Sequence, residues 1–426
     1  MLIYTIKPGD NLYSIAKNYG IDVQKLIDLN QLDNPNQLSV GQDILIPVQK
    51  STHVVVSGDS LYSIALQHSI TVNEILAINP ALKSPYIIMP GQIINIPNAN
   101  VNKPQIEVNG YAYPTISATV LQQTLPYLTY LSIFSYKVTA QGELVAIEDD
   151  GLIGAARRAK VAPIMVITNT GATGGFDSDL VDALLNNMFL QDRMIKNIMT
   201  TLAKKEYYGL NVDFEYIKAE SKEKYNEFLI KLGNQLRKDG YILMTAVAPK
   251  LSADQSGTLY EAHDYPAHGK SVDRVIIMTY EWGYLYGPPL AIAPVKEVEK
   301  VIKYAVTEIP SKKILMGMPN YAYDWKLPYK KGSAAKVLTI AAAERQAYKV
   351  GAKIEYNENS QAPFYQYYDE TGTQHIVWFD NPRSTKARLK LVNDYNLGGV
   401  SYWTINQFFK QNWLLLDSMF NIKKLL

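Results

Sequence analysis

Asn211, Asp213 and Glu215 alternate with apolar residues in the segment that runs from Tyr208 to Glu215. In a β-strand, successive side chains point to opposite faces, so these three polar groups would share one face and the apolar groups the other. Burial of two carboxyls beside an amide raises a carboxyl pKa toward the working range of a general acid. The same pattern also suits a structural hydrogen-bond network, so the surrounding elements must decide between the two interpretations.

Short apolar runs alternate with helical patterns from residue 105 onward. We expect eight strands, at 106–112, 129–135, 162–168, 209–215, 243–248, 274–281, 314–319 and 398–403, with helices including 180–205, 224–238, 295–307 and 385–396. This alternation predicts a closed (β/α)8 TIM barrel in a domain at 105–426, with an open doubly wound sheet as the alternative. The long segment before the last strand predicts a small β-containing insertion at about 326–383.

Four further candidates lie at the predicted ends of the sixth and eighth strands, namely Tyr280, Glu281, Trp282 and Trp403. Catalytic groups of a barrel collect where its strands end, so these residues would converge with the polar ladder. A carboxylic acid can protonate a glycosidic oxygen, and aromatic rings can hold a pyranose. The combination therefore favours a sugar-cleaving site.

Composition narrows the possible partners and cofactors. The 426 residues suggest two to four domains, and a net charge of only +2 argues against nucleic acid as a partner. There is no cysteine, and the five histidines form no His-Glu-x-x-His pattern, so we expect no disulfide, metal or other cofactor. The N-terminus lacks the features of a signal peptide and no window is long and apolar enough for a membrane span, which predicts a protein without either.

An internal repeat opens the chain. Residues 4–16 recur at 53–65 around a Gly-Asp turn, and the later Gly41-Gln42 recurs as Gly91-Gln92. Each copy predicts a βααβ unit, at 2–48 and 52–97, followed by a polar linker at 98–104.

Both copies resemble the LysM domain, a peptidoglycan- and chitin-binding module. The resemblance implies a shallow groove for N-acetylglucosamine between the first turn and the loop before the last strand. The contact residues that it implies are Gly9, Asp10, Asn11 and Leu12 in the first copy and Gly58, Asp59, Ser60 and Leu61 in the second. Asp59 and Ser60 are also suited to cap the following helix, and two tandem modules suggest avidity for one polymer.

The domain at 105–426 resembles glycoside hydrolase family 18, whose fourth strand carries Asp-x-x-Asp-x-Asp-x-Glu. The resemblance implies that Glu215 is the general acid/base and that Asp213 orients the substrate's 2-acetamido group, which attacks C1 to form an oxazolinium. It also implies that Tyr280 hydrogen-bonds the acetamido group, that Trp403 floors the reacting subsite, and that Glu281, beside Trp282, binds a sugar hydroxyl.

The chain departs from that motif at two positions. Tyr208 occupies the place of the first Asp and Asn211 that of the second, while the family's Ser-x-Gly-Gly signature is not recognisable near the third strand. An amide can hydrogen-bond Asp213, but it adds no charge, so we expect less like-charge pressure on the two carboxyls. Asn211→Asp should therefore raise the alkaline limb of the rate profile.

Taken together, the modules and the barrel resemble the spore cortex-lytic N-acetylglucosaminidases of endospore-forming bacteria. The resemblance implies a peptidoglycan substrate, with muramic-δ-lactam, and a location in the spore coat or cortex. A monomer would suffice, because the binding modules are already in tandem. The alternatives are a chitinase, a muramidase, or a lectin-like coat protein whose barrel binds glycan without cleaving it.

Overall fold

The computed structural model describes residues 1–32, 34–47, 50–68, 70–79, 81–97, 103–171 and 174–426. Most of the predicted linker at 98–104 lies outside these ranges. No helix in the described part of the chain is both long and apolar enough to cross a membrane.

Two small antiparallel modules come first. Module 1 consists of β1 (Leu2–Thr5), α1 (Leu12–Asn18), α2 (Val23–Asn30) and β2 (Asp43–Ile46), and module 2 of β3 (Lys50–Val54), α3 (Leu61–Gln67), α4 (Val72–Ile78) and β4 (Ile93–Pro97). Each first helix begins at a residue whose side chain accepts a backbone hydrogen bond, Asn11 or Ser60. Leu12 and Leu61 are buried at equivalent places in the two small cores.

The remaining strands are β5 (Gln105–Ala112), β6 (Tyr130–Val138), β7 (Leu144–Val145), β8 (Ala162–Thr168), β9 (Gly209–Asp213), β10 (Ile242–Val247), β11 (Arg274–Ile277), β12 (Ile314–Pro319), β13 (Ala322–Leu327), β14 (Lys336–Leu338), β15 (Glu355–Asn357), β16 (Ala362–Tyr368), β17 (Gln374–Trp378), β18 (Gly399–Trp403) and β19 (Asn421–Ile422). Eight of them pair in parallel in the order β5, β6, β8, β9, β10, β11, β12 and β18, and β18 pairs back onto β5. The predicted closed barrel is therefore confirmed, and the open sheet is not.

The helices of this domain are α5 (Ala118–Thr124), α6 (Asp150–Arg158), α7 (Ser178–Leu185), α8 (Met188–Lys205), α9 (Lys222–Lys238), α10 (Tyr265–Ser271), α11 (Val295–Glu308), α12 (Ile340–Lys349), α13 (Pro382–Asp394) and α14 (Lys410–Met419). One predicted helix, at 180–205, was wrong because the segment forms both α7 and α8. The break occurs where the Asn187 side chain accepts a hydrogen bond from the Leu190 N–H and begins a new helix.

The predicted insertion before the last barrel strand contains a five-stranded antiparallel sheet, in the order β14, β13, β17, β16, β15, together with α12. Its strands and helix extend from Ala322 to Trp378. Trp325 and Tyr365 are buried in its cores. β13 follows directly on β12, so the insertion lies beside the carboxyl end of the barrel.

Two apolar clusters pack on the opposite faces of β9 and its neighbouring strands. Leu210, Val212 and Phe214 pack in the large core that also contains residues of the surrounding helices. A smaller cluster that includes Tyr111 and Met244 lies on the other face of the strands. The polar members of the ladder therefore face the barrel interior, as the alternation predicts.

Candidate active site

The strand that carries the polar ladder is shorter than its sequence pattern suggested. β9 ends at Asp213, whereas the predicted strand continued to Glu215. The backbone beyond Asp213 is held by side chains instead of by strand pairing. Glu215 therefore stands two residues beyond the strand, at the mouth of the barrel.

Asn169 and His263 hold this backbone. The Asn169 amide donates to the Glu215 carbonyl (2.9 Å) and accepts from the Glu215 N–H (3.0 Å). His263 Nδ1 accepts from the Ala248 N–H (2.8 Å), so its proton is on Nε2, which donates to the Phe214 carbonyl (3.0 Å). Burial lowers the pKa of His263 to about 4, which keeps the ring neutral.

Sequence reasoning missed both of these residues. Nothing in the sequence neighbourhood of His263 points to Glu215. Asn169 did carry a signal, because it directly follows β8 and so belongs to the same barrel face as Asp213.

The Asn211 side chain does not form the hydrogen bond with Asp213 that the sequence suggested. Its amide donates to the Tyr111 hydroxyl from β5, and not to Asp213. Asn211 Oδ1 and Asp213 Oδ1 are buried without a hydrogen-bond partner among the described residues. The Asp213 carboxyl therefore retains accepting capacity inside the barrel mouth.

The two carboxyls share a crowded site. Burial raises the pKa of Asp213 to about 7, and burial together with the charges of Asp213 and Glu281 raises the pKa of Glu215 well above its usual range. Two adjacent buried carboxyls cannot both ionise freely. At neutral pH the pair therefore retains a proton.

Glu281 reaches the same cleft from the loop after β11. That strand ends at Ile277, so the predicted extension to Glu281 was wrong, because residues 278–280 turn tightly with the Thr279 and Tyr280 N–H groups bonded two residues back. Glu281 has a left-handed backbone (φ 68°) and accepts hydrogen bonds from the Tyr321 and Tyr323 hydroxyls of the insertion. Burial raises the pKa of Glu281, although these hydroxyls oppose the shift.

The three carboxyls open into a cleft of about 1020 Å³. Tyr280, Trp282 and Trp403 line the cleft, as predicted. The sequence analysis missed the other aromatic lining residues, namely Tyr111, Tyr113, Phe134, Phe176, Tyr216, Tyr260 and Tyr284. The Trp403 ring lies edge-on to Phe134, with centroids 4.8 Å apart. No lysine, arginine or histidine occurs among the described lining residues. The cleft thus combines an acid, aromatic surfaces and an uncompensated negative charge.

Comparison with known proteins identifies the barrel. Residues 127–407 match the model of glycosyl hydrolases family 18, and residues 4–47 and 53–97 match the LysM domain model. The chain belongs to glycosyl hydrolases family 18. The family 18 match starts after β5, yet Tyr111 of that strand and Tyr113 just beyond it line the cleft.

Relatives resemble the chain over its full length. It is 40% identical to the cortical fragment-lytic enzyme of Bacillus subtilis, over 100% of this chain and 99% of the relative. The Bacillus anthracis enzyme of the same name is 39% identical, over 99% of both chains. The crystal structure of the Bacillus megaterium spore cortex-lytic enzyme SleL matches this family 18 chain with a TM-score of 0.93 and 37% identity, over 100% of this chain and 99% of that one.

The predicted LysM contacts are not brought into the family 18 cleft. Asp10 accepts from the Lys7 N–H (2.7 Å), and Asp59 accepts from the Val56 N–H (2.8 Å), so both carboxylates hold the turns in which they lie. Together with Asn11 and Ser60 at the helix starts, they have structural tasks. Gly9 and Gly58 remain exposed at the turns.

Proposed function

We propose that the protein is a peptidoglycan-hydrolysing N-acetylglucosaminidase that acts on spore cortex glycan. The observation that carries the proposal is the Asp213–Glu215 pair, which retains a proton beneath an aromatic cleft. The names of the full-length relatives support the cortex as the place of action. The LysM modules support a glycan that contains N-acetylglucosamine.

The reaction proceeds in two steps with retention at C1. Glu215 donates its proton to the glycosidic oxygen while the acetamido carbonyl oxygen bonds to C1 and the C1–O bond breaks. Asp213 stabilises the resulting oxazolinium with its negative charge. The Glu215 carboxylate then takes a proton from water, whose oxygen bonds to C1 as the ring reopens, and Glu215 returns to its acid form.

The other candidate residues have positioning tasks. Tyr280 hydrogen-bonds the acetamido group, and Trp403 supports the sugar at the reacting subsite, with Trp282 as a further aromatic contact. Glu281 accepts from a sugar hydroxyl, since two phenols already hold its carboxylate in place. Asn211 keeps the Tyr111 hydroxyl beside Asp213.

The charge of the cleft favours a neutral substrate near the reacting bond. No cation lines it among the described residues, and the negative charge left on the carboxyl pair after it retains one proton would repel a free lactyl carboxylate. Muramic-δ-lactam has no such charge. This supports cortex glycan over ordinary peptidoglycan as the preferred substrate.

The proposal is tested by mass spectrometry of borohydride-reduced products from spore cortex and vegetative glycan fragments. We expect new reduced N-acetylglucosamine ends with the native protein, more of them from cortex, and none with Glu215→Gln. Reduced muramic ends would make the protein a muramidase. Glycan binding without any new ends would contradict the proposal and favour the lectin-like alternative.

A further inference from the structure

The two LysM modules are built alike but are covered differently. Their loops before the closing strand, which we name the loop walls, are residues 37–41 in module 1 and 87–91 in module 2. In each, a glutamine side chain accepts from a backbone N–H of the wall: Gln42 from Ser39 and Gln92 from Met89. The positions therefore correspond one to one, with an offset of 50.

The insertion of the barrel domain covers the loop wall of module 1. The Ile354 N–H donates to the Val40 carbonyl (2.9 Å), and a Cβ on Gly41 would lie only 1.8 Å from the Ile354 carbonyl oxygen. At Gly91 of module 2 no atom of the described residues lies within 4 Å of the corresponding Cβ. Ser39 is 5% exposed, whereas its counterpart Met89 is 67% exposed.

Polar groups fasten module 1 to the barrel domain, in a contact that we name the dock. Asp43, buried at 1% exposure, accepts from Asn381 Nδ2 (2.5 Å) and Arg383 Nε (2.8 Å) at the start of α13. Gln411 of α14 donates to the Asn30 side chain (2.8 Å). Buried, charge-assisted bonds of this kind are costly to leave unpaired, so they hold the module in one place.

Module 2 has an apolar surface where module 1 has the dock. Ile93, the counterpart of Asp43, is 63% exposed. Its loop wall also exposes Ile87 at 69%, and Val56 beside the opposite turn is 60% exposed. Exposed apolar side chains on the loop wall and beside the opposite turn suit the apolar faces of N-acetylglucosamine rings, which the LysM resemblance places between these two segments.

We propose that glycan binding by the modules is confined to module 2, and that module 1 has become a docking element of the barrel domain. The proposal deepens the glycan-binding part of the proposed function and rests on it. Each chain then holds glycan outside its cleft at one groove, so the avidity expected from two modules does not arise.

Hydrogen exchange of the full chain tests this directly. Chitopentaose is added to the Glu215→Gln variant, so that the probe is not consumed, and amide exchange is followed by mass spectrometry. We expect slower exchange at 56–61 and 86–92 of module 2 and no change at 7–12 and 37–41 of module 1. Equal slowing in both modules, slowing in module 1 alone, or no slowing in either would overturn the proposal.

Matched substitutions give a second test by cosedimentation with cortex glycan. Ile87→Asp places a charge on the open wall, and Gln37→Asp places the same charge at the equivalent exposed position of module 1. We expect retention to fall at least tenfold for the first and less than twofold for the second. An equal fall, or none in either, would contradict the inference. Product analysis of the native protein measures cleavage separately, so failure of the proposed function would be recognised independently.

Discussion

Two pairs of carboxyls, each with a buried aspartate and a half-buried glutamate, differ in what surrounds them. Asp213 and Glu215 lie in the cleft. Asp43 and Glu344 lie in the dock, where Glu344 of α12 accepts from the Gln42 side chain (3.4 Å). Burial is the largest cause of the raised pKa in all four, and the charge of the neighbouring aspartate adds to it in each glutamate. Judged by pKa alone, the two pairs would be equivalent.

Their access to solvent separates them. Asp43 is bonded by Thr5, Asn381 and Arg383, and a cavity lined by Glu344 measures only about 120 Å³. Asp213 Oδ1 and Glu344 Oε1 both lack a hydrogen-bond partner among the described residues, but Asp213 opens into the large cleft. A perturbed carboxyl therefore indicates catalysis only where it has free bonding capacity toward a space that a substrate can enter.

The comparison is tested most strongly by removing one acid from each pair. Glu215→Gln removes the transferable proton and should lower kcat by roughly 10²–10⁴-fold, measured on reduced-end release. Glu344→Gln is the matched control and should leave kcat within about twofold, because it touches no substrate. Comparable losses in both variants would erase the distinction between the pairs.

In the cleft pair, the Asn169 side chain holds the backbone of Glu215 through two hydrogen bonds. Asn169→Asp keeps the acceptor for the Glu215 N–H but replaces the donor to the Glu215 carbonyl with a repelling oxygen. Misplacement of the acid should lower kcat by about 10–100-fold while KM stays nearly constant. Steady-state kinetics on soluble cortex fragments, with thermal unfolding to verify folding, measures this. A rise in KM at constant kcat would show that Asn169 acts on binding instead.

The dock can be probed with paired glycines. Gly41 and Gly91 have the same backbone conformation, with φ of 87° and 86°, so the strain of an added Cβ is common to both. Only Gly41→Ala meets the Ile354 carbonyl, and it should cost about 1–2 kcal/mol more than Gly91→Ala. Thermal unfolding and the exchange rate of the Ile354 amide measure the difference. Equal destabilisation would mean that the dock is open in solution.

The pH dependence of stability follows from Glu344. Burial and the charge of Asp43 raise its pKa to about 8, so the folded state holds a proton that the unfolded chain releases above its ordinary carboxyl pKa. The stability from this group is complete at acid pH and is lost as the pH rises toward 8. Glu344→Gln should flatten the fall in the free energy of unfolding with rising pH, by on the order of 1 kcal/mol at pH 8, measured by thermal unfolding across this pH range. Parallel curves for the two proteins would refute this.

The smallest expected effect concerns Asn211→Asp. A third carboxyl beside the cleft pair would raise the pKa of Glu215, and the Tyr111 hydroxyl, free to donate to it, would limit the rise. The alkaline limb of kcat should move upward by up to about one pH unit. A limb that does not move would show that Asn211 is electrostatically remote from the acid.

Local sequence patterns were sufficient to predict the barrel and the strand that carries Asp213. The alternation around Asp213 correctly predicted which side chains face the interior, because strand geometry is a local property. The exact strand ends depended on partners elsewhere in the chain, as the early end of β9 shows. Hydrogen bonds such as that from Asn169 to Glu215 join residues 46 apart in sequence, and no periodicity encodes them.

The contact between module 1 and the barrel domain could likewise not be predicted from the sequence. Gly41 and Gly91 occupy the same place in the repeat, and only the contact with Ile354 distinguishes them. The sequence does differ at one equivalent position, where module 1 has Asp43 and module 2 has Ile93. A charged residue on a buried strand face requires a partner, so this difference indicates a contact of module 1. The repeat therefore suggested two equivalent modules, and tertiary contacts made them different.

The dock also changes how module 2 is attached. Module 1 is fixed to the barrel domain, and on the other side Lys103 is fixed to the last strand, where the Asn421 side chain donates to its carbonyl (2.9 Å). Module 2 lies between these two points, so it is tethered at both ends and does not hang from a single linker. Its groove has a bounded distance from the cleft. A glycan strand held by module 2 would reach the catalytic acid only at a limited range of sugar positions. The tether would therefore limit the distance along the strand between the bound sugar and the cleaved bond.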